Sequence, residues 1–395
     1  MVKRNDVFAK LNARELRRNW FQYLSMVAII TLAVTLFCGF VSNTKVLKNR
    51  VDKLIQETNL CDLCVQTSGL DAADRSRFST DKNTEYRLYT EGSLVGRTAK
   101  IYVGNNDISR PVILKGEEGV LLDKMTAGTI NVGVGDVITL KIPSLNVDKH
   151  FTVTGLMRFA EIANTYSTYP VVLTTQAFKD AFGFSPEPLY NQILIKTDDA
   201  TALKKEITDY FAAKTVDNLL YVFDRSTIES VVMLDNEVSQ SLSMISVFPV
   251  IFLCVAVLVI MTTISQLILR ERTNIGTLKA LGFSDGKIMF HYSLFGIAVC
   301  FIGTLLGIFL GPAIVPSVMN IKYDLVYNLP KTEIYLIDPL WSLFAVLSVC
   351  LLSAAISLWV LKDVIRQKPA ECMRPATGGV MFGFKKDKKN EKESV

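Results

Sequence analysis

Few side chains in this sequence are equipped for chemistry. It holds two histidines, His150 and His291, and seven cysteines, of which only Cys61 and Cys64 stand at a motif spacing. A lone C-x-x-C reads as a redox pair or half of a zinc site. If Leu60–Val65 is a strand, its positions i and i+3 lie about 10 Å apart on opposite faces, beyond the ~7 Å limit for a disulfide. A free or structural pair is then expected, whereas a helical or turned segment would make the bond feasible. Neither histidine has partners at ligand spacing. His150 reads as a surface strand residue and His291 as an interfacial one. Gly282-Phe-Ser-Asp-Gly286-Lys287 imitates a phosphate loop, but three residues separate the glycines and Ile288 follows the lysine, where the loop needs four and a Ser or Thr. No catalytic group, metal site or cofactor is expected, and the chain should hydrolyse no ATP by itself.

The elements that would position any site emerge from where charge is missing. At 50% hydrophobic, 21% charged and a mean hydropathy of +0.30, the averages sit near those of soluble proteins. Uncharged stretches of 26, 32, 34 and 23 residues nevertheless follow Arg18, Glu237, Lys287 and Asp338. Each exceeds the ~18 to 20 apolar residues that cross a ~30 Å hydrocarbon core. The expected fold is a multi-pass α-helical membrane protein with four transmembrane helices and a large α+β extracytoplasmic domain between the first two. The spans read as Phe21–Val41, Ser243–Leu269, Phe290–Val315 and Leu340–Leu361. The first is a retained anchor, since its apolar run exceeds a signal peptide's ~7 to 15 residues.

Basic residues orient the spans. Residues 1–20, 270–289 and 362–395 carry 19 basic against 9 acidic side chains, while 43–242 and 316–339 sum to a net charge of −5. Both termini are placed in the cytoplasm, and the overall +5 is an orientation signal, not a nucleic-acid footprint. Lys385, Lys386, Lys388, Lys389 and Lys392 form a polybasic end that reads as solvated tail or as a contact with anionic lipid. Phe8, Leu11, Leu16 and Trp20 beside Arg14, Arg17 and Arg18 read as an interfacial amphipathic helix or as an extension of the first span.

Within 43–242, short apolar runs at 119–122, 136–142, 150–157, 171–174 and 192–196 read as strands, with Gly133-Val-Gly-Asp136 as a turn entering one of them. A helix at 200–213 and a strand at 219–223 complete a small α+β subdomain beside a mostly β one. Helical ends flank the domain. Leu47, Val51 and Leu54 leave the first span, while Ile228, Val231, Val238 and Leu242 approach the second at heptad-like spacing. One helix over 227–269 would be about 65 Å long, forming a stalk that Pro249 could kink. The alternative is a pair of end helices bent at the membrane surface.

No Asp, Glu, Lys or Arg falls within the four spans. Ion-coupled transport, channels and intramembrane proteolysis use such buried groups, so these functions are disfavoured. Gly303, Gly307 and Gly311 form a four-residue stripe that permits close helix contact.

One segment adds a family resemblance. Arg270-Glu-Arg272-Thr-Asn274-Ile275-Gly276-Thr-Leu278-Lys279-Ala280-Leu281-Gly282 resembles the R-x-R-x-E-I-G-x-L-K-A-L-G signature of the FtsX-like permease family, which includes MacB-type exporters and lipoprotein-release permeases of ABC transporters. Val134-Gly-Asp136-Val-Ile-Thr-Leu140, Phe151-Thr-Val-Thr-Gly155 and Lys368-Pro-Ala-Glu-Cys-Met-Arg374-Pro are weaker likenesses. Asn274 replaces the family's usual Glu and loses a charge. The resemblance implies a permease associating with an ABC-type ATPase subunit and with a second copy or a related permease. The helix near Arg270 would seat on the ATPase, with Ile275, Leu278 and Leu281 as the apolar face and Arg270, Arg272 and Lys279 as polar contacts. The helices would carry ATP-driven movement outward, for export or extraction of a lipophilic, peptide or lipoprotein substrate. The rival reading is a signalling scaffold acting on an extracytoplasmic protein partner such as a cell-wall hydrolase.

Overall fold

The computed structural model describes residues 20–78, 83–162, 168–214, 218–333, 335 and 337–365. The amphipathic helix expected before residue 20 and the tail beyond 365 lie outside these residues. In chain order the elements are α1 (Trp20–Glu57), β1 (Leu63–Thr67), α2 (Ala72–Phe78), β2 (Thr84–Leu94), β3 (Arg97–Val103), β4 (Val112–Gly116), β5 (Val120–Asp123), α3 (Lys124–Ile130), β6 (Val137–Ile142), β7 (Val147–Thr152), β8 (Gly155–Arg158), β9 (Thr168–Leu173), α4 (Thr175–Phe182), β10 (Gln192–Ile195), α5 (Ala200–Ala212) and β11 (Leu219–Asp224). Four helices follow: α6 (Glu229–Arg270), α7 (Arg272–Ala280), α8 (Asp285–Val326) and α9 (Pro339–Ile365). The chain divides into two units. One holds Leu32–Ile251 and Leu306–Leu343, the other Phe252–Leu305 with the described residues up to Thr31 and from Phe344 on.

The first unit contains every described strand, in the order β11-β1-β10-β2-β3-β9-β5-β8-β4, with β6 paired to β2 and β7. Alternation makes β6 a half-buried strand: Ile138, Leu140 and Ile142 point inward while Val137, Thr139 and Lys141 face out. Strands β5 and β10 are buried along their whole length, as expected where both sheet faces are covered. Two cores form. Ile101, Leu122, Leu140, Val171 and Phe178 belong to the larger, and Leu63, Val65, Ile193, Ile207 and Phe211 to the smaller. Strand β2 serves both parts, pairing Thr84–Arg87 with β10 and Leu88–Leu94 with β3. The expected run 150–157 is two strands. The Val120 amide donates to the Thr154 hydroxyl at 2.7 Å, and that hydroxyl donates to the Val120 carbonyl at 3.1 Å. These bonds end the pairing with β6 at Thr152 and release Gly155 to pair with β4 and β5.

The same unit holds helix segments. Helix α8 runs past Val315 to Val326, so much of the expected loop 316–339 is helical. Met319, Tyr323 and Val326 pack inward with Tyr327 just beyond the helix, and this helical spacing carries the helix on where the sequence reading stopped it.

In the second unit, Ala256, Ile260, Ile264 and Ile268 form a buried stripe on α6, while Val255, Leu258 and Leu269 face out. On α9, Phe344, Leu347, Leu351 and Leu358 are also exposed. Apolar surface of this extent marks an interaction surface in water, and a helix apolar all round suits a membrane. By length and composition, Tyr23–Glu57, Asp285–Val326 and Pro339–Lys362 can each cross a bilayer. Cys254–Arg270 joins them only when counted with Arg272–Ala280 across a 56° bend. The expected four spans are thus three among the described residues, or four on that count.

Candidate functional site

The segment that carries the signature folds as a short capped helix. α6 stops at Arg270, and Glu271, fully buried, marks the 56° bend into α7. Its carboxylate accepts a hydrogen bond from the Asn274 amide. The residue that departs from the signature therefore spends its amide within the chain. α7 ends in a Schellman motif: Gly282 N–H donates to Lys279 O at 3.0 Å and Phe283 N–H to Leu278 O at 3.1 Å. Gly282 takes φ +82° to close it, a conformation that glycine adopts without steric cost. The glycine of the supposed phosphate loop is a helix terminator, and Gly286 lies in the first turn of α8.

Burial corrects the expected docking face. Ile275 and Leu278 are buried at 0% and 8% exposure, whereas Leu281 is 75% exposed. With Gly276 also buried, the inward side of α7 packs within the unit. Thr273, Asn274, Thr277, Ala280 and Leu281 are exposed. Arg270 is exposed, Arg272 half-buried, and Lys279 lies 3.3 Å from Asp285.

The glycine stripe sits on buried positions of α8. In the second unit, a methyl group at Gly303 would come within 3.1 Å of Ile30 Cβ and Val27 O, and the Thr31 hydroxyl donates to Gly303 O at 3.1 Å. In the first unit, a methyl at Gly311 would lie 2.6 Å from Thr35 O and 2.8 Å from Gly39 N. Thr31, Thr35 and Gly39 on α1 recur every four residues, a small-residue row that the sequence reading passed over. Gly307 is buried as well.

The model of the FtsX-like permease C-terminal domain matches residues 246–363. This stretch is similar to an FtsX-like permease domain. It contains the α7 segment and the glycine stripe. Two solved structures are similar to the chain: the periplasmic region of MacB from Actinobacillus actinomycetemcomitans, 14% identical, covering 45% of this chain and 95% of its own with a TM-score of 0.27, and a domain of a putative permease protein from Porphyromonas gingivalis, 11% identical, covering 45% and 96% with a TM-score of 0.22. Overlap that slight says nothing of what this chain does. No curated protein matches it.

The part of the matched stretch within the first unit meets the other residues of that unit in a polar collar. Leu47, Val51 and Leu54 of α1 and Val231 and Leu234 of α6 pack with Tyr323, Tyr327 and Leu329. Ile228 and Val238 are partly buried there, but Leu242 is 53% exposed and leaves the expected stalk seam. Arg50, 2% exposed, donates to Pro330 O at 2.9 Å and Leu329 O at 3.0 Å and also reaches Asn320 and Asp324. Tyr327 donates to Glu237 at 2.8 Å, and Lys322 pairs with the same carboxylate at 2.9 Å. Arg158 of β8 donates to Asn328 O and lies 3.3 Å from Glu57. The Asn328 amide is 3.5 Å from Asp123, which caps α3. Burial pushes the Asp123 carboxyl up to about 6, against the pull of the Met125 and Thr126 amides. Nothing in the sequence reading singled out Arg50, Arg158, Asp123 or Tyr323.

Cys61 and Cys64 are free thiols in one apolar cluster with Ile108 and Leu194. Burial pushes Cys61 up to about 12 and Cys64 well above its usual range, so neither is a ready thiolate nucleophile. His150 lies in β7, its Nδ1 2.9 Å from the Thr139 hydroxyl.

Proposed function

We propose that this chain is the membrane subunit of an ABC transporter, seated on a separate ATPase subunit through α7 and working as a pair with a second permease copy or a related chain. The observation that carries the reading is the family match over residues 246–363, with α7 and its exposed Leu281 inside it. The seat is the outward side of α7: Thr273, Thr277, Ala280 and Leu281, flanked by Arg270. An exposed leucine beside a helix C-terminus is a contact that a groove on a partner can bury. Closure of the ATPases around ATP shifts this seat, and the movement reaches the α+β domain through the helices. α6 is one 42-residue helix from Glu229 to Arg270, and the collar ties the ends of α1, α6 and α8 to that domain. Such transmission needs no polar path through the membrane, in keeping with spans that lack charge. The substrate on this reading is lipophilic, peptide or lipoprotein in character, the α+β domain lies outside the cytoplasm, and both termini lie inside.

The test is reconstitution with the ATPase partner in lipid nanodiscs. Leu281→Asp should abolish stimulation of ATP hydrolysis while leaving expression, insertion and melting temperature unchanged, because the side chain packs against little in this chain. Stimulation equal to that of the unaltered protein overturns the seat. A complex that couples ATP turnover to a protein partner in place of a small substrate would favour the signalling scaffold over transport.

A further inference from the structure

The face of the sheet near its β11 edge carries a cavity of about 440 Å³ that neither the family match nor the coupling reading uses. Pockets of ~300 to 1,000 Å³ accommodate small ligands. Its wall combines rings with carboxylates. Tyr221 and Phe223 stand on β11 with ring centroids 5.6 Å apart, and both are exposed, at 64% and 37%. Three carboxylates line the cavity, Glu91, Glu161 and Glu229, against a single ammonium, Lys100.

The polar groups are unequally satisfied. Lys100 lies 3.5 Å from Glu229, and Glu91 accepts from the Tyr89 hydroxyl at 2.7 Å. Glu161 is held from behind: Arg87 donates to its Oε2 at 2.6 Å, donates to Gln192 at 2.7 Å, and stacks on Tyr102 at 4.4 Å. The other oxygen, Oε1, is buried without a hydrogen-bond partner among the described residues, on a side chain only 10% exposed. A buried acceptor without a donor is costly, and charge-assisted bonds to a carboxylate are the strong ones. Neither Lys100 nor Arg87 serves Glu161 Oε1, the acceptor of this wall that no donor among the described residues reaches.

We propose that this cavity binds a small ligand carrying a protonated amine on an aromatic or apolar body, the amine facing Glu161 and the body against Tyr221 and Phe223. Cations favour the faces of such rings, and the excess of carboxylates disfavours anions. Thr227, Ile228 and Glu229, which lead into α6, form part of the same wall, so an occupant touches the start of that 42-residue helix.

The test titrates the full chain in nanodiscs, without ATP or a partner, with 2-phenylethylammonium, its neutral counterpart 2-phenylethanol and anionic 3-phenylpropanoate, read by calorimetry. The ammonium should bind about tenfold more tightly than the alcohol or the carboxylate, the scale of one charge-assisted hydrogen bond. Glu161→Gln should bring ammonium and alcohol to equal affinity, and Tyr221→Ala should weaken both. Equal binding of the three probes, no binding of any, or an ammonium preference that survives Glu161→Gln overturns the site. Should Glu161→Gln fail to fold, unchanged ammonium binding by Tyr221→Ala, altered only at an exposed side chain, overturns it as well. Because the assay contains no ATPase, its outcome is independent of the coupling test.

Discussion

At Gly311 the backbones of α1 and α8 approach so closely that one methyl group would lie 2.6 Å from Thr35 O. About four turns beyond Thr35 along α1, the same two helices are joined by Arg50, whose guanidinium reaches Asn320 and Asp324 and donates to two carbonyls just past α8. One contact works by leaving side chains out, the other by a side chain with several hydrogen bonds to satisfy. The difference follows the surroundings. In a charge-free stretch there is little hydrophobic gain from moving one apolar helix against another in lipid, so close packing holds them. Where Lys45, Asp324 and Lys331 signal water, a buried guanidinium can be compensated by a carboxylate and carbonyls.

Substitutions at five positions would break or sharpen this contrast. Gly311→Leu should have the largest effect, because no rotamer avoids the α1 backbone: monodisperse protein should be lost from size-exclusion profiles of detergent extracts. Gly303→Ala should be milder, its nearest neighbours lying at 3.1 Å. Arg50→Ala should lower the melting temperature by the equivalent of about 3 kcal/mol, the scale of breaking a buried pair. Arg50→Lys should fail to restore it, since a point charge cannot serve acceptors spread around a planar fork. The Asp123 prediction concerns pH. Burial raises its carboxyl from 3.8 to about 6, so the folded state keeps a proton that the unfolded state has released. Stability should fall as pH rises from about 4 to about 6 and stay lower above, by at most about 3 kcal/mol. Asp123→Asn retains the cap and should abolish that slope in hydrogen exchange at Met125 and Thr126. The smallest effect belongs to Lys322→Ala, whose half-exposed pair with Glu237 should be worth less than about 1 kcal/mol in melting measurements.

Much of the fold was legible because it rests on local pattern. Uncharged length marks the helices, and alternation marks β6, where Ile138, Leu140 and Ile142 face one way. What the letters withheld was pairing over distance. The run 150–157 splits because Thr154 bonds Val120, and no feature of the run announces that partner. The collar joins residues such as Arg50 and Asp324 that stand 274 positions apart, so an arginine beyond a span reads as a topology signal and nothing more. The segment carrying the signature was half legible. Its spacing shows that Ile275, Leu278 and Leu281 share a side broadly, but whether a leucine is presented or buried depends on the helices around α7. The structure turns Ile275 and Leu278 inward and leaves Leu281 out. Thr31, Thr35 and Gly39 were within reach of a search for small residues at four-residue spacing.

The claim that movement enters at α7 and reaches the α+β domain is tested most directly by a spin label at Val95, an exposed position between β2 and β3, in complexes holding two copies of the chain and the ATPase partner. Pulsed electron resonance would then read the distance between the two labels with and without trapped ATP. The account predicts a distance distribution that shifts on ATP trapping and does not shift when Leu281→Asp is present. The same distribution in both nucleotide states of the unaltered complex would contradict it.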